Sequence, residues 1–460
     1  MHLPKLIDAL NTPSPLANLS ISSSHRVLVI GAAYGGISTL LNLFDLSQGK
    51  VRESAYPLPD FKGQKPENEV EITVIDERDG FFHSVGAPLA HVSKTYTSAM
   101  WKRYSQLNEL RHPNLHFKHG SVQKIDPEVK IAEYIDRSGQ SRRQRYDYLI
   151  MATGLKRHWP AVPKSGSYAE YVRDAQVLID KITGNGRVQE ERKVVIIGAG
   201  AVGVEFAGEI KANYPSLSVT LVHSRSEVLS SEPLPTEVKE RVKLLLGEEG
   251  VDLKLGNRAS VADLSDGKFL VTLANGENII ADVVLDATKK GSPTTNCLPA
   301  ECLDDENGIK VNSYLQFSSS IPNALSHFGV GDVITWSGIK RAGGAMVMGQ
   351  VAATNVYASI LNSENVTSKP FQLGELPEYP VVIGIAVGKQ CLTYDSKQGV
   401  KWGVQLMKDY FQDDLGWAYS LKYLGLTDVD EKGEDASKHT TVEIAEAKRV
   451  GPEPVPAAAA

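Results

Sequence analysis

Residues Lys193–Glu209 read KVVIIGAGAVGVEFAGE. The apolar run up to Ile197 has the length and composition of a buried parallel strand. It enters Gly198-Ala199-Gly200-Ala201-Val202-Gly203, and an amphipathic helical pattern follows. A G-x-G-x-x-G turn between strand and helix has a physical purpose. The first glycine makes the turn, the second lets backbone approach a pyrophosphate, and the third lets helix and strand pack closely. The helix N-terminus then offers amide donors to the phosphates. Gly198, Gly200, Ala201, Val202 and Gly203 are therefore candidate dinucleotide contacts. The next strand, Ser218 to Val222, ends in His223-Ser224-Arg225. His223 stands 20 residues after Gly203, where an NAD-selective turn carries an acid. A cation in that place suits the 2′-phosphate of NADPH, so NADPH is expected to serve at least as well as NADH. The bland alternative for Arg225 is a solvated loop cation.

Working outward, a second turn of this kind lies near the start of the chain. Arg26 to Ile30 is a continuous apolar strand pattern, followed by Gly31-Ala32-Ala33-Tyr34-Gly35-Gly36 and a helical pattern, Ile37 to Leu46. Ala33 stands where the second glycine belongs, so the backbone is expected to lie slightly farther from a phosphate. A strand over Val70 to Ile75 ends in Asp76-Glu77, acids placed to accept ribose hydroxyls. Asp76 comes 40 positions after Gly36 instead of roughly 20. The excess fits a Lys-, Glu- and Pro-rich insertion between Gln48 and Asn68, which reads as a surface loop. Two more strand-to-turn segments follow: Tyr146 to Gly154, ending in Ala152-Thr153-Gly154, and Phe328 to Asp332, ending in Gly331-Asp332. A small-residue helix pattern runs from Gly343 to Ile360.

The chain has 460 residues, too many for one core, so several domains are expected. Its net charge is −6 without a basic stripe, which leaves nucleic acid no electrostatic footprint. The three cysteines, Cys297, Cys302 and Cys391, form no C-x-x-C pair, so neither a disulfide framework nor a metal site is expected. No run of about 18 apolar residues marks a transmembrane helix. Residues 1–24 read as an N-terminal extension and 451–460, rich in Pro and Ala, as a disordered tail. With no leader pattern the chain reads as cytoplasmic. Its oligomeric state is not legible.

The order of these pieces resembles the pyridine-nucleotide-disulfide reductase superfamily, in its apoptosis-inducing-factor-like branch of ferroptosis-suppressor-type NAD(P)H:quinone oxidoreductases. The resemblance spans about Arg26 to Leu424 and includes D-E-R-D-G-F-F-H, M-A-T-G, V-G-D and K-R-A-G-G-A. It implies an α/β fold with two Rossmann-type, glutathione-reductase-like domains and a small C-terminal α+β domain. FAD would take 25–165 and 289–365, NAD(P)H 166–288, and the C-terminal domain 366–450. FAD contacts carry over to Thr153, Gly154, Gly331, Asp332, Ala345 and, for the adenine, the backbone of Val122. Glu205 would face the nicotinamide and Lys340 the flavin, and the two are expected to act as a pair. Leu89 replaces an FAD-touching arginine, and the second A-T-G element is altered to Ala287-Thr288-Lys289-Lys290. His83 reads as a packed residue beside aromatics. The resemblance implies hydride transfer from NAD(P)H through FAD to a quinone-like acceptor, with peripheral membrane contact left open. The rival readings are a redox-sensing interaction protein and an oxidoreductase of specialised metabolism.

Overall fold

The computed structural model describes residues 24–185, 192–318 and 320–426. The extension and tail read from sequence lie outside them, apart from Ser24. The apolar strand His25–Ile30 sits at the centre of a seven-stranded sheet. Val70–Asp76 and Tyr148–Met151 flank it in parallel. His327–Gly329 extends one side, and Leu115–Asp126 the other, again in parallel. Ile131–Asp136 and Ser141–Arg145 then continue the sheet as an antiparallel meander. Val27, Leu28 and Val29 are essentially inaccessible, as a strand covered on both faces must be.

Helix Tyr34–Ser47 crosses this sheet beside helix Ala342–Ser363, which is buried on nearly all sides. Small residues let the two backbones meet. A Cβ on Gly349 would come within 2.4 Å of the Gly35 carbonyl oxygen and 2.8 Å of Ser38 Cβ. Ser38 Oγ donates to the Met346 carbonyl across the contact, at 2.6 Å. The insertion before Val70 is not wholly a surface loop. Phe61 is buried, packing edge-on against Tyr357 and Phe371 at 5.0 and 5.1 Å, because so large a ring gains more from the core than from water.

A second parallel sheet has Lys193–Ile197 at its centre, between Ser218–Val222 and Val283–Asp286, with Asp252–Lys254 at one edge. A small antiparallel sheet, Ala259–Asp263, Phe269–Leu273 and Asn278–Ala281, packs Val271, Leu273 and Ala281 against Val195 and Val222. Between the two large sheets the chain crosses twice. Leu155–Lys156 and Ser292–Pro293 are the two passes, and they pair antiparallel.

Beyond the long helix, Val382–Val387, Gln390–Asp395 and Gly399–Gly403 form an antiparallel sheet, followed by helices Val404–Tyr410 and Trp417–Leu424. Trp417 is buried, stacks on His83 at 4.8 Å, and donates from Nε1 to the Ala99 carbonyl. No helix among the described residues is long and apolar enough to cross a membrane.

Candidate functional site

The two glycine turns are built alike. Gly31 has φ +90° and Gly198 φ +108°, a region that disfavours any residue with a Cβ. A Cβ on Gly31 would lie 2.6 Å from the Ala152 carbonyl oxygen, and one on Gly198 2.8 Å from that of Ala287. A Cβ on Gly36 or Gly203 would strike the carbonyl of its turn's first glycine at 1.8 Å. Ala287 thus forms the floor beneath its turn as Ala152 does, despite the altered residues after it. The first intrahelical bonds run from Ile37 to Ala33 and from Val204 to Gly200, so three amides precede each of them.

The turns differ at the second glycine position. Gly200 faces open space. Ala33 is exposed with φ −87°, a conformation open to any residue, so the alanine adds a methyl at the mouth of the site without strain. Each turn is braced from the end of the next strand. In the first, Asp76 Oδ2 accepts from Ala32 N at 2.6 Å, and Tyr104 OH donates to the Ala32 carbonyl. In the second, His223 Nδ1 accepts from Ala199 N at 3.2 Å, and its Nε2 donates to Ser230 Oγ at 2.9 Å. The imidazole is therefore neutral, and burial together with the Arg225 charge holds it below its usual pKa. Arg225 is exposed and donates to the same Ser230 Oγ at 3.3 Å; Ser224 is exposed beside it.

The remaining predicted contacts fall around the first turn. Gly35 lies against Val330 and Ala345, and Gly331, with φ +75°, also approaches Ala345. Thr153 Oγ1 donates to the Thr294 carbonyl, and Gly154 has φ +65° with open space over it. Val122 is half-buried at a bulge in its strand, and Glu77 is exposed. Tyr34 OH donates to His83 Nδ1 at 2.7 Å, while His83 Nε2 donates to the Leu415 carbonyl at 3.0 Å. His83 is fully buried, and burial pushes its pKa down to about 4. It is a packed link to the C-terminal unit, as its aromatic setting suggests.

A cleft beside the second turn is lined by Val202, Phe206, Ala287, Lys289 and Arg157. Glu205 sits between Val202 and Phe206 on the helix Ala201–Asn213. Burial against the strand Val382–Val387 pushes it up to about 8, opposed by a hydrogen bond from the Ala386 amide. Lys340 Nζ donates to the Asp332 carbonyl, and no ion pair joins it to Glu205. The expected pair is thus not in contact. The cation that acts on Glu205 is Arg157, whose Nη2 lies 3.4 Å from Asp332 Oδ2. Sequence reasoning missed Arg157, because no motif contains it and Asp332 is 175 residues away.

The residues present fit two dinucleotides. Both turns exclude side chains where backbone must approach a phosphate, and both leave helix-terminal amides before the first intrahelical bond. No disulfide joins the three cysteines: Cys302 and Cys391 are buried and Cys297 is half-buried. The sequence model of the pyridine nucleotide-disulphide oxidoreductase family matches residues 25–349. Oxidoreductase OXR1 of Ajellomyces capsulatus is 40% identical over 91% of this chain and 92% of its own. Ferroptosis suppressor protein 1 of Taeniopygia guttata is 25% identical over 78% of this chain and 87% of its own. Among solved structures, the sulfide:quinone oxidoreductase of Aquifex aeolicus superposes with a TM-score of 0.59 at 17% identity, covering 87% of this chain and 94% of the other.

Proposed function

This chain belongs to the pyridine nucleotide-disulphide oxidoreductase family and is an oxidoreductase, and we propose that it passes electrons from NAD(P)H through FAD to a small organic acceptor of the quinone type. The observation that carries this reading is the pair of like-built glycine turns, with Arg157 lining the cleft beside the second and reaching Asp332 beside the first. In this reading FAD takes 25–165 with 289–365, the pyridine nucleotide takes 166–288, and 366–450 is the C-terminal domain, of which the described part, 366–426, packs against both.

FAD, when bound, supplies the two-electron chemistry. The chain supplies binding and field. Asp76 and Glu77 receive the ribose of the first adenosine, and Val122 offers backbone to its adenine. Gly31, Ala32, Ala33, Tyr34, Gly35 and Gly36 frame the pyrophosphate, while Thr153, Gly154, Gly331, Asp332 and Ala345 line the path toward the second unit. Gly198, Gly200, Ala201, Val202 and Gly203 receive the second pyrophosphate. His223, Ser224 and Arg225 face its 2′-phosphate, Arg225 being the exposed cation best placed to pair with it. Glu205 orients the nicotinamide from the helix side of the cleft. Lys340 puts a positive charge beside Asp332, where it offsets negative charge gained on reduction.

With no cysteine pair to relay electrons, the acceptor must meet the reduced cofactor directly. The fold shared with a sulfide:quinone oxidoreductase and the likeness to a ferroptosis suppressor support the quinone class. The test is turnover of the purified yellow protein with NADPH and a soluble quinone. Sustained quinone reduction supports the reading. A reduced protein that persists with quinone present points instead to a redox sensor.

A further inference from the structure

Arg157 directly follows the crossing strand Leu155–Lys156, where the chain passes between the two nucleotide-turn units. Its side chain therefore reaches both. Toward the first unit, Nη2 lies 3.4 Å from Asp332 Oδ2. Toward the second, it lines the cleft with Val202 and Phe206, on the helix that also carries Glu205. Its charge is felt by Glu205, Glu232 and Lys340.

A purely structural role accounts poorly for this placement. The contact to Asp332 is longer than the 2.7–2.9 Å usual for charge-assisted bonds. The side chains of both partners keep substantial exposure, 37% and 24%, and such pairs hold a fold weakly. Among the described residues the guanidinium has no other hydrogen-bond partner to fix it. The groups that bear on Glu205 are Glu209 one helical turn along, the neutral Ala386 amide from the packed strand, and the Arg157 guanidinium from the crossing. Arg157 alone opposes the burial of that carboxylate with positive charge.

Building on the two-site reading above, we propose that Arg157 is the positioning residue of the junction, one guanidinium serving both nucleotide sites, set against Asp332 in the first and beside the helix of Glu205 in the second. Pyridine-nucleotide binding and its pH dependence pass through this residue. Lys340, bound to the Asp332 backbone, does not substitute for it.

The sign follows from the charges. Removing Arg157 leaves Glu205 with burial and Glu209, both of which favour the protonated form. Glu205 then keeps its proton to higher pH. The test uses the FAD-loaded protein, titrated with NADP+ between pH 6 and pH 9, with the dissociation constant read from flavin fluorescence. Wild type, Arg157→Leu, Arg157→Lys, Glu205→Gln and the Glu205→Gln/Arg157→Leu double variant are compared, each with its melting temperature. Wild type should show a pH inflection that Glu205→Gln abolishes. Arg157→Leu should have its inflection moved upward and bind NADP+ at least about fivefold more weakly at pH 9, where the wild-type Glu205 is charged. Arg157→Lys should return the inflection toward its wild-type position, and the double variant should show none. An unshifted inflection in Arg157→Leu overturns the proposal, as does an Arg157→Lys variant that stays shifted. If wild type carries flavin but binds no NADP+, or carries no flavin, the two-site reading itself fails, a result distinct from either of these.

Discussion

Asp76 and His223 hold the same post in the two halves of the molecule, each accepting the amide that follows its turn's first glycine. A carboxylate there competes for ribose hydroxyls and repels a 2′-phosphate; a neutral imidazole with Arg225 beside it does neither. Arg225→Ala should therefore lower kcat/KM for NADPH by about 10- to 100-fold, the loss of a charge-assisted bond worth roughly 1.5–3 kcal/mol, and leave NADH nearly unchanged. Steady-state kinetics with both donors check this, and a wild type that clearly prefers NADH contradicts it. Asp332→Ala should weaken FAD retention by a similar factor, read as flavin released during gel filtration. The structure also changes what to expect of Glu205 and Lys340. They make no direct contact, so losses of flavin reduction rate in Glu205→Gln and Lys340→Met should combine almost additively. Glu205→Gln with Arg157→Leu should not, since those two groups interact electrostatically. Glu205 and Asp332 were legible because each sits within a few residues of a glycine turn. Arg157 was not, since its contacts come from pairing of two crossing strands far apart in sequence.

Helix Ala201–Asn213 shows how an element serves packing and chemistry together. Glu205 and Glu209 are one turn apart, and Gly208 meets the C-terminal sheet. A Cβ on Gly208 would come 2.4 Å from the Gly388 amide nitrogen, which is backbone and has little room to give. Gly208→Ala should cost about 1–3 kcal/mol, visible as a lowered melting temperature. Glu209 is 5% exposed, accepts from Asn213 Nδ2 at 3.3 Å, and is pushed up to about 8 by burial and then by Glu249. A carboxyl whose folded pKa exceeds its ordinary 4.5 binds more protons folded than unfolded between those values. Its stabilising contribution is complete below 4.5 and is lost as pH rises toward about 8. The wild-type melting temperature should decline across that window, and Glu209→Gln should decline less. Equal slopes would remove Glu209 as a source of pH dependence. The helix itself was plain in the sequence. The partner of its far face was not, because Val382–Val387 joins it only through tertiary packing.

At the scale of the molecule, the order of motifs along the chain was enough to read two nucleotide units, since each strand, turn and helix is local and carries its own glycines. Less of the C-terminal unit was legible. Its hold on the first unit depends on Trp417 stacking over His83 and on the Leu415 carbonyl accepting from that ring, contacts spanning more than 300 residues. The Phe61 anchor was hidden for the same reason, since its ring partners, Tyr357 and Phe371, come from far along the chain. The proposed function has two nucleotides meeting at the junction of these units, and one measurement tests that most directly. The purified protein, loaded with FAD, is mixed anaerobically with NADPH in a stopped-flow spectrometer and its flavin absorbance followed. The account predicts a yellow protein whose absorbance is bleached by NADPH at least as fast as by NADH. A colourless protein that takes up no added FAD, or a bound flavin that neither dinucleotide reduces, would contradict it.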